Sequence, residues 1–164
     1  MKIGLAIEQV ADAEAKLVDE LVAVGERHKI DHDVFHVTKT LAKLENGHVE
    51  ALAPHADRYG TSIDGDRRDS PTGTGPLQRV VEKSVELIGR RPEPALLLLR
   101  DLREIYLLAS ETSIDWVMLG QGSQAVKDAD LLETISKCHA ETLRTMKWAT
   151  YRIKTASPQA LAAG

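Results

Sequence analysis

The sequence predicts an all-α protein, an antiparallel four-helix bundle with a long crossover between its second and third helices. Apolar residues recur at steps of three and four in four long stretches of the chain. Two connections between these stretches are short, near residues 30 and 125, as in antiparallel helix pairs. The remaining connection is long. We expect it to contain a flexible loop over residues 60–76, rich in glycine and aspartate, and then a short amphipathic helix over Leu77–Ile88.

Length and composition fit one soluble domain. The 164 residues suffice for a single bundle over residues 1–155, with a flexible tail at 156–164. With 21 basic and 25 acidic residues and no basic block, we expect neither nucleic acid nor an anionic membrane as a partner. No apolar run approaches the ~20 residues of a membrane span. Cys138 is the only cysteine and the first residues do not resemble a signal peptide, so we expect a cytoplasmic location.

The first two predicted helices carry polar residues on the stripes that should face the core. The first helix is expected over Gly4–His28, and Glu14 falls in the centre of its apolar stripe. The second is expected over Val34–Tyr59, with Glu45 and His48 one turn apart on its inner stripe. A buried carboxylate is costly unless it is paired or bound to a cation. These residues therefore indicate either a metal site or a buried polar network.

The third predicted helix spans Pro94–Leu119 and has two apolar faces, so we expect it to be covered on two sides. The second of these faces is formed by Leu107, Ile114 and Val117. Between the faces runs an acidic strip that should be exposed to solvent: Asp101, Glu104, Glu111 and Asp115. The fourth helix is expected over Asp128–Lys154, with His139 facing the core. The other charged residues of this helix should face solvent: Glu133, Lys137, Glu141 and Arg144.

The polar core residues are predicted to lie at similar levels within each helix pair. In an antiparallel pair, positions equally far from the connecting turn lie opposite each other. With a turn centred near residue 30 or 31, Glu14 lies opposite residue 47, between Glu45 and His48. With the second turn centred near residue 125, His139 lies opposite Glu111. Polar residues that gather at mid-bundle in both pairs favour a common site.

This arrangement resembles the ferritin-like di-iron carboxylate proteins, which are bundles with a glutamate on one helix of each pair and Glu-x-x-His on the other. Glu14 and the stretch Glu45-Asn46-Gly47-His48 match the first half of that pattern. The second half matches in part, because Ser136 stands where the second motif has glutamate. The resemblance implies a metal site made by these side chains: Glu14, Glu45, His48, Glu111 and His139, with Asp115 as the alternative to Glu111.

Carboxylate and imidazole ligands suit iron, manganese or zinc. The resemblance implies an iron- or manganese-dependent oxidase or a peroxide-related stress activity if two metals are bound, and binding alone if one is. The stretch Cys138-His139-Ala140-Glu141-Thr142 is also similar to uncharacterised bacterial ferritin-like stress proteins. Whether the chain is an enzyme, and whether it forms a homo-oligomer, stays open at this point.

Two other readings stay open beside the metal-binding one. The first is a non-catalytic bundle, an interaction or stress-related module in which Glu14 and Glu45 pair with His48 and His139 in a hydrogen-bonded network. The serine at position 136 favours that reading. The second is a mononuclear metal enzyme of another four-helix family, using His48 and His139.

Overall fold

The computed structural model describes residues 2–63 and 93–162, which form four helices. Helix α1 spans Ile3–Arg27, α2 spans His32–Arg58, α3 spans Pro94–Ala125 and α4 spans Ala129–Ala162. Within these two ranges the chain has no strand, which confirms the all-α fold class. Most of the loop expected over 60–76, and the helix expected over Leu77–Ile88, lie outside the described residues.

The helices pack as a bundle. Helix α1 packs against both α2 and α3, helix α3 packs against α4, and α2 meets α4 less extensively. Aspartate side chains cap the N-termini of two helices: Asp31 accepts a hydrogen bond from the Val34 amide, and Asp128 accepts one from the Leu131 amide. No helix within residues 2–63 and 93–162 combines the length and the hydropathy needed to cross a membrane.

The core consists of two apolar clusters. One is built around Trp116, with Ile7 and Leu52 fully buried against it. The other is built around Leu21, with Leu17 and Ile105. On each helix, buried polar residues lie between the residues of one cluster and those of the other. Together they form a layer across the middle of the bundle: Glu14, Glu45, His48, Thr112, Thr142 and Thr145. The apolar stripes of all four helices are therefore interrupted at this layer.

Two helices are longer than predicted. Helix α3 continues beyond Leu119 through two glycines. Gly122 lies close to α1, since a Cβ there would be 2.9 Å from Ile3 Cδ1. Helix α4 continues beyond Lys154 to Ala162, with Ala160 buried, so residues 156–162 are helical where we expected a tail. Alanine-rich segments favour the helix even where little surface is buried.

Two expectations for the faces of α3 are wrong. The second apolar face is exposed rather than covered, with Leu107, Ile114 and Val117 at 43%, 58% and 44% exposure. No element among the described residues packs over it. Conversely, the acidic strip is only half exposed, because Asp101 and Asp115 are buried at 4% and 6% exposure.

Candidate metal centre

Glu14, Glu45 and His48 meet in the polar layer, as the spacing on α1 and α2 predicts. Both glutamates have 0% exposure and the histidine has 2%. Each side chain offers one possible ligand atom, and these three atoms lie within 4.8 Å of one another. Residues 45 and 48 are one helical turn apart, which places both side chains on the face of α2 that packs against α1.

The two ring nitrogens of His48 face different partners. Nδ1 lies 2.9 Å from Glu14 Oε1 and 3.1 Å from Glu45 Oε2. Nε2 lies 2.8 Å from Glu141 Oε2, a carboxylate from α4. The ring of Trp116 contacts the imidazole edge to face, with 6.0 Å between the ring centroids. Nδ1 therefore points into the cluster, while Nε2 contacts a side chain of α4.

Three uncharged side chains donate hydrogen bonds to the two glutamates. Trp116 Nε1 donates to Glu14 Oε1 at 2.8 Å. The Thr142 hydroxyl lies 3.0 Å from Glu45 Oε2 and 3.3 Å from Glu14 Oε1, and its single hydrogen can serve one of them at a time. Thr145 donates to Glu45 Oε1 at 2.5 Å. The other oxygen of Glu14, Oε2, is buried and has no hydrogen-bonding partner among the described residues.

The three ionisable groups perturb one another's pKa values. The pKa of Glu14 is raised to about 8, chiefly by burial; the hydrogen bond to His48 opposes this rise and the charge of Glu45 adds to it. For His48, burial alone would lower the pKa, but the hydrogen bonds and charges of the two glutamates raise it to about 11. Burial likewise opposes ionisation of Glu45, yet the contact with His48 and the hydrogen bond from Thr145 lower its pKa overall. At neutral pH the cluster holds a charged His48, a charged Glu45 and a protonated Glu14.

The remaining predicted site residues lie outside this cluster. Glu111 is exposed, on a groove between α1 and α3. Asp115 accepts a hydrogen bond from Gln9 at 2.6 Å, and burial raises the pKa of its carboxyl. His139 is half-buried and lies 2.8 Å from the Ser113 hydroxyl, and burial lowers the pKa of its ring. The pairing of His139 with the core glutamates, expected for a polar network, is absent among the described residues.

The prediction of which α4 residues lie at mid-bundle was wrong by one helical turn. Helix α3 ends at Ala125 and α4 begins at Ala129, so their connection is centred at residue 127 rather than 125. Thr142 and Thr145 therefore occupy the mid-bundle positions, with the same spacing of three that Glu45 and His48 have on α2. Thr142 lies three residues beyond His139, on the same side of the helix, whereas Thr145 was not predicted to face the core.

The expectation that Glu141 faces solvent was also wrong. Its side chain is 20% exposed and its carboxylate reaches back to His48. A glutamate on the edge of a helix stripe can extend its flexible side chain towards a buried partner, and sequence spacing alone does not reveal such a contact.

A second buried acid lies near one end of the bundle. Asp101 accepts hydrogen bonds from Arg27 Nε at 2.9 Å, and its Oδ2 lies 2.8 Å from His28 Nε2. Burial opposes ionisation of Asp101, but the contacts from His28 and Arg27 lower its pKa overall. This cluster ties the end of α1 to α3 and has the composition of a structural ion pair.

Comparison with known proteins adds no family assignment: no family model, no curated protein and no solved structure matches the chain. The fit of a metal therefore has to be judged from the side chains. The mid-bundle layer offers two carboxylates and one imidazole nitrogen on the α1–α2 side, whereas α4 offers threonine hydroxyls there and its Glu141 carboxylate lies at the other nitrogen of the His48 ring. This donor set fits one transition-metal ion and does not fit a carboxylate-bridged pair.

Proposed function

We propose that this protein is a ferritin-like bundle that binds a single divalent transition-metal ion, iron, manganese or zinc, through Glu14, Glu45 and His48. The observation that carries the proposal is the buried cluster itself: Glu14, Glu45 and His48 offer three possible ligand atoms within 4.8 Å of one another, and Glu14 Oε2 has no partner among the described residues. A buried polar atom without a partner costs about 1–3 kcal/mol. A cation that replaces the proton of Glu14 and binds the carboxylate would remove that cost.

The contacts of His48 support the proposal. A histidine that binds a metal through one nitrogen commonly donates the other N–H to a carboxylate, which sets the tautomer and the ring orientation. Glu141 accepts at Nε2, which leaves Nδ1 directed at the two glutamates. Binding of the ion would displace the Nδ1 proton of His48 and the proton of Glu14. Bound metal would supply a strong positive charge in place of these protons.

One ion in a closed core fits binding rather than turnover of oxygen or peroxide. The oxidase and stress activities implied by the ferritin resemblance belong to sites with two metals. Here the neutral hydroxyls of Thr142 and Thr145 stand on α4 where further anionic ligands would be needed. We therefore propose a metal-binding protein without an assigned reaction.

We further propose that neighbouring helices run antiparallel, in the order of a ferritin-like bundle. Arg27, at the end of α1, contacts Asp101 near the beginning of α3. Gln9, near the beginning of α1, instead contacts Asp115 further along α3. We keep the cytoplasm as the proposed location, where Cys138 would stay reduced.

A non-catalytic bundle stabilised by a buried network is the second candidate. The observation that favours it is the number of protein donors around the two glutamates, since Trp116, Thr142 and Thr145 all donate to them. His48 is also paired on both nitrogens without any metal. In this reading the polar layer specifies how the helices align and has no ligand.

The test is thermal unfolding of wild type and Glu45→Ala, each without metal and with Fe(II) under anaerobic conditions, Mn(II) or Zn(II). If the cluster binds metal, an ion at a hundredfold excess over its Kd stabilises wild type by about 3 kcal/mol, a rise of roughly 5–10 °C in Tm. Glu45→Ala should lose this rise, and Glu45→Gln should lose most of it. Glu50→Ala, an exposed glutamate on the same helix, is the control and should keep it.

The network reading predicts a different outcome. Wild-type Tm would not respond to any of the three metals, and protein purified without chelator or affinity-tag nickel would contain no metal. Glu45→Ala would then cost about 1–3 kcal/mol under all conditions, because it leaves buried donors unpaired. That result would overturn the metal proposal.

A further inference from the structure

The candidate metal centre is exposed to solvent at one of its charged side chains. The side chains of Glu14 and Glu45 are 0% exposed and that of His48 is 3% exposed, whereas that of Glu141 is 20% exposed. Trp116, Thr142 and Thr145, which surround the glutamates, are also fully buried. Among these contacts, Glu141 alone connects the interior of the cluster with bulk water.

Glu141 lies between α2 and α4, the packed helices that meet least extensively. His48 contacts Glu141 there, and seven residues further along α2 and seven residues back along α4, His55 lies 2.9 Å from the Thr134 hydroxyl. Beside His48, a Cβ added at Gly47 would meet no atom within 4 Å, so this part of the α2 surface is open.

The carboxylate of Glu141 can move without unpacking the bundle. Its hydrogen bond to His48 Nε2, at 2.8 Å, is the contact that holds it over the cluster. Rotation of its side chain would turn the carboxylate towards water and uncover the imidazole, with no shift of either helix. Once turned outwards, the carboxylate oxygens of Glu141 are hard anionic contacts suited to a divalent cation.

We propose that Glu141 is the uptake residue of the metal centre, a charged side chain between α2 and α4 that captures the cation at the surface and passes it inward to Glu14, Glu45 and His48. This inference rests on the proposed metal-binding function. Glu141 contacts the ion in transit and is not one of its final ligands. During transit its charge lowers the free-energy barrier between free and bound ion, whereas in the bound state its carboxylate only accepts the His48 Nε2 hydrogen.

The discriminating variant is Glu141→Gln. The amide oxygen of glutamine can still accept the His48 Nε2 hydrogen, so the ring keeps its orientation while the negative charge at the surface is lost. We expect uptake and release of the ion to slow together by about tenfold at low ionic strength, with Kd within about threefold of wild type. Glu141→Asp keeps the charge and should restore the rates. Glu133→Gln changes the charge equally at an exposed position of α4 and should leave the rates unaltered.

The rates can be followed by stopped-flow fluorescence of Trp116, which donates to Glu14 and contacts His48. The chain has two tryptophans, so Trp148→Phe provides a background in which Trp116 is the sole one. The ion used is whichever of Fe(II), Mn(II) and Zn(II) raises wild-type Tm, mixed as the metal alone.

The outcomes separate this inference from the function it rests on. If no ion raises the Tm of wild type, the proposed function fails and the uptake role fails with it. If wild type binds the ion and Glu141→Gln takes it up at the wild-type rate, the uptake role alone is overturned. A weakened Kd with an unchanged uptake rate also overturns it, because Glu141 would then be a positioning residue for His48.

Discussion

The metal-free protein should lose stability as the pH rises from 5.5 to 7.5, and Glu14 should cause most of the loss. Its pKa is about 8 in the folded chain against 4.5 without the fold. Over this range the folded state keeps a proton that the unfolded state has released, so unfolding becomes more favourable with rising pH. His48 acts in the same direction from pH 6.5 upwards, because folding raises its pKa to about 11. The lowered pKa of Glu45 contributes nothing here, since that group is ionised in both states above pH 5.5.

The size of the effect follows from proton linkage. A difference of one bound proton changes the free energy of unfolding by about 1.4 kcal/mol per pH unit. Two pH units therefore correspond to about 3 kcal/mol from Glu14, with a smaller addition from His48 in the upper half of the range. Glu14→Gln keeps an acceptor for Trp116 and cannot release a proton. The difference in stability between wild type and this variant should thus change by about 3 kcal/mol between pH 5.5 and 7.5.

Urea-induced unfolding at pH 5.5, 6.5 and 7.5, in the presence of a chelator, measures this difference. Glu111→Gln is the matched control, because Glu111 is exposed and its substitution should leave the pH dependence of wild type unchanged. Parallel pH profiles for wild type and Glu14→Gln would refute the reasoning, since they would mean that Glu14 is ionised in the folded state.

Bound metal should reverse the sign of this pH dependence of stability. A bound ion requires Glu14 to be ionised and His48 Nδ1 to be free, so binding competes with about two protons near neutral pH. The stabilisation caused by a fixed metal concentration should therefore grow from pH 5.5 to 7.5. If the metal-induced rise in unfolding free energy is equal at both pH values, these two residues are not the ligands.

Three further variants concern stability alone. Asp101→Asn should cost about 2–4 kcal/mol at neutral pH, because it removes the buried counter-charge of Arg27, and the cost should shrink as the pH falls below 3.8. Chemical unfolding over pH measures this cost, and an unchanged stability would contradict it. Gly47→Ala should stabilise the protein by about 1 kcal/mol, because a Cβ there meets open space within a helix. Gly25→Ala should instead destabilise it by about 1–3 kcal/mol, because its Cβ would lie 2.5 Å from Thr38 Oγ1. Equal shifts in Tm for the two alanine variants would refute the packing argument.

The sequence by itself determined the four helices and half of the candidate site. Each helix has an apolar stripe of period 3.6, and such a stripe identifies a helix without reference to the rest of the chain. Glu14, Glu45 and His48 were predicted to meet because the turn centre inferred from the sequence, residue 30 or 31, falls within the connection that the structure shows, residues 28–31. Local spacing thus carries the geometry of a helix pair whose turn is placed correctly.

The tertiary structure alone decided the α4 side of the site. A shift of two residues in the centre of the α3–α4 connection moves the opposing position by a whole turn, which exchanges His139 for Thr142. It also decided which acids are buried, since Asp101 and Glu111 share a strip on α3 yet Asp101 is buried beside Arg27 of α1 and Glu111 is exposed. Burial and pairing depend on neighbours that are distant in sequence. The contact of Glu141 with His48 is of this kind, because it joins two helices whose residues are 93 positions apart, and no local pattern encodes it.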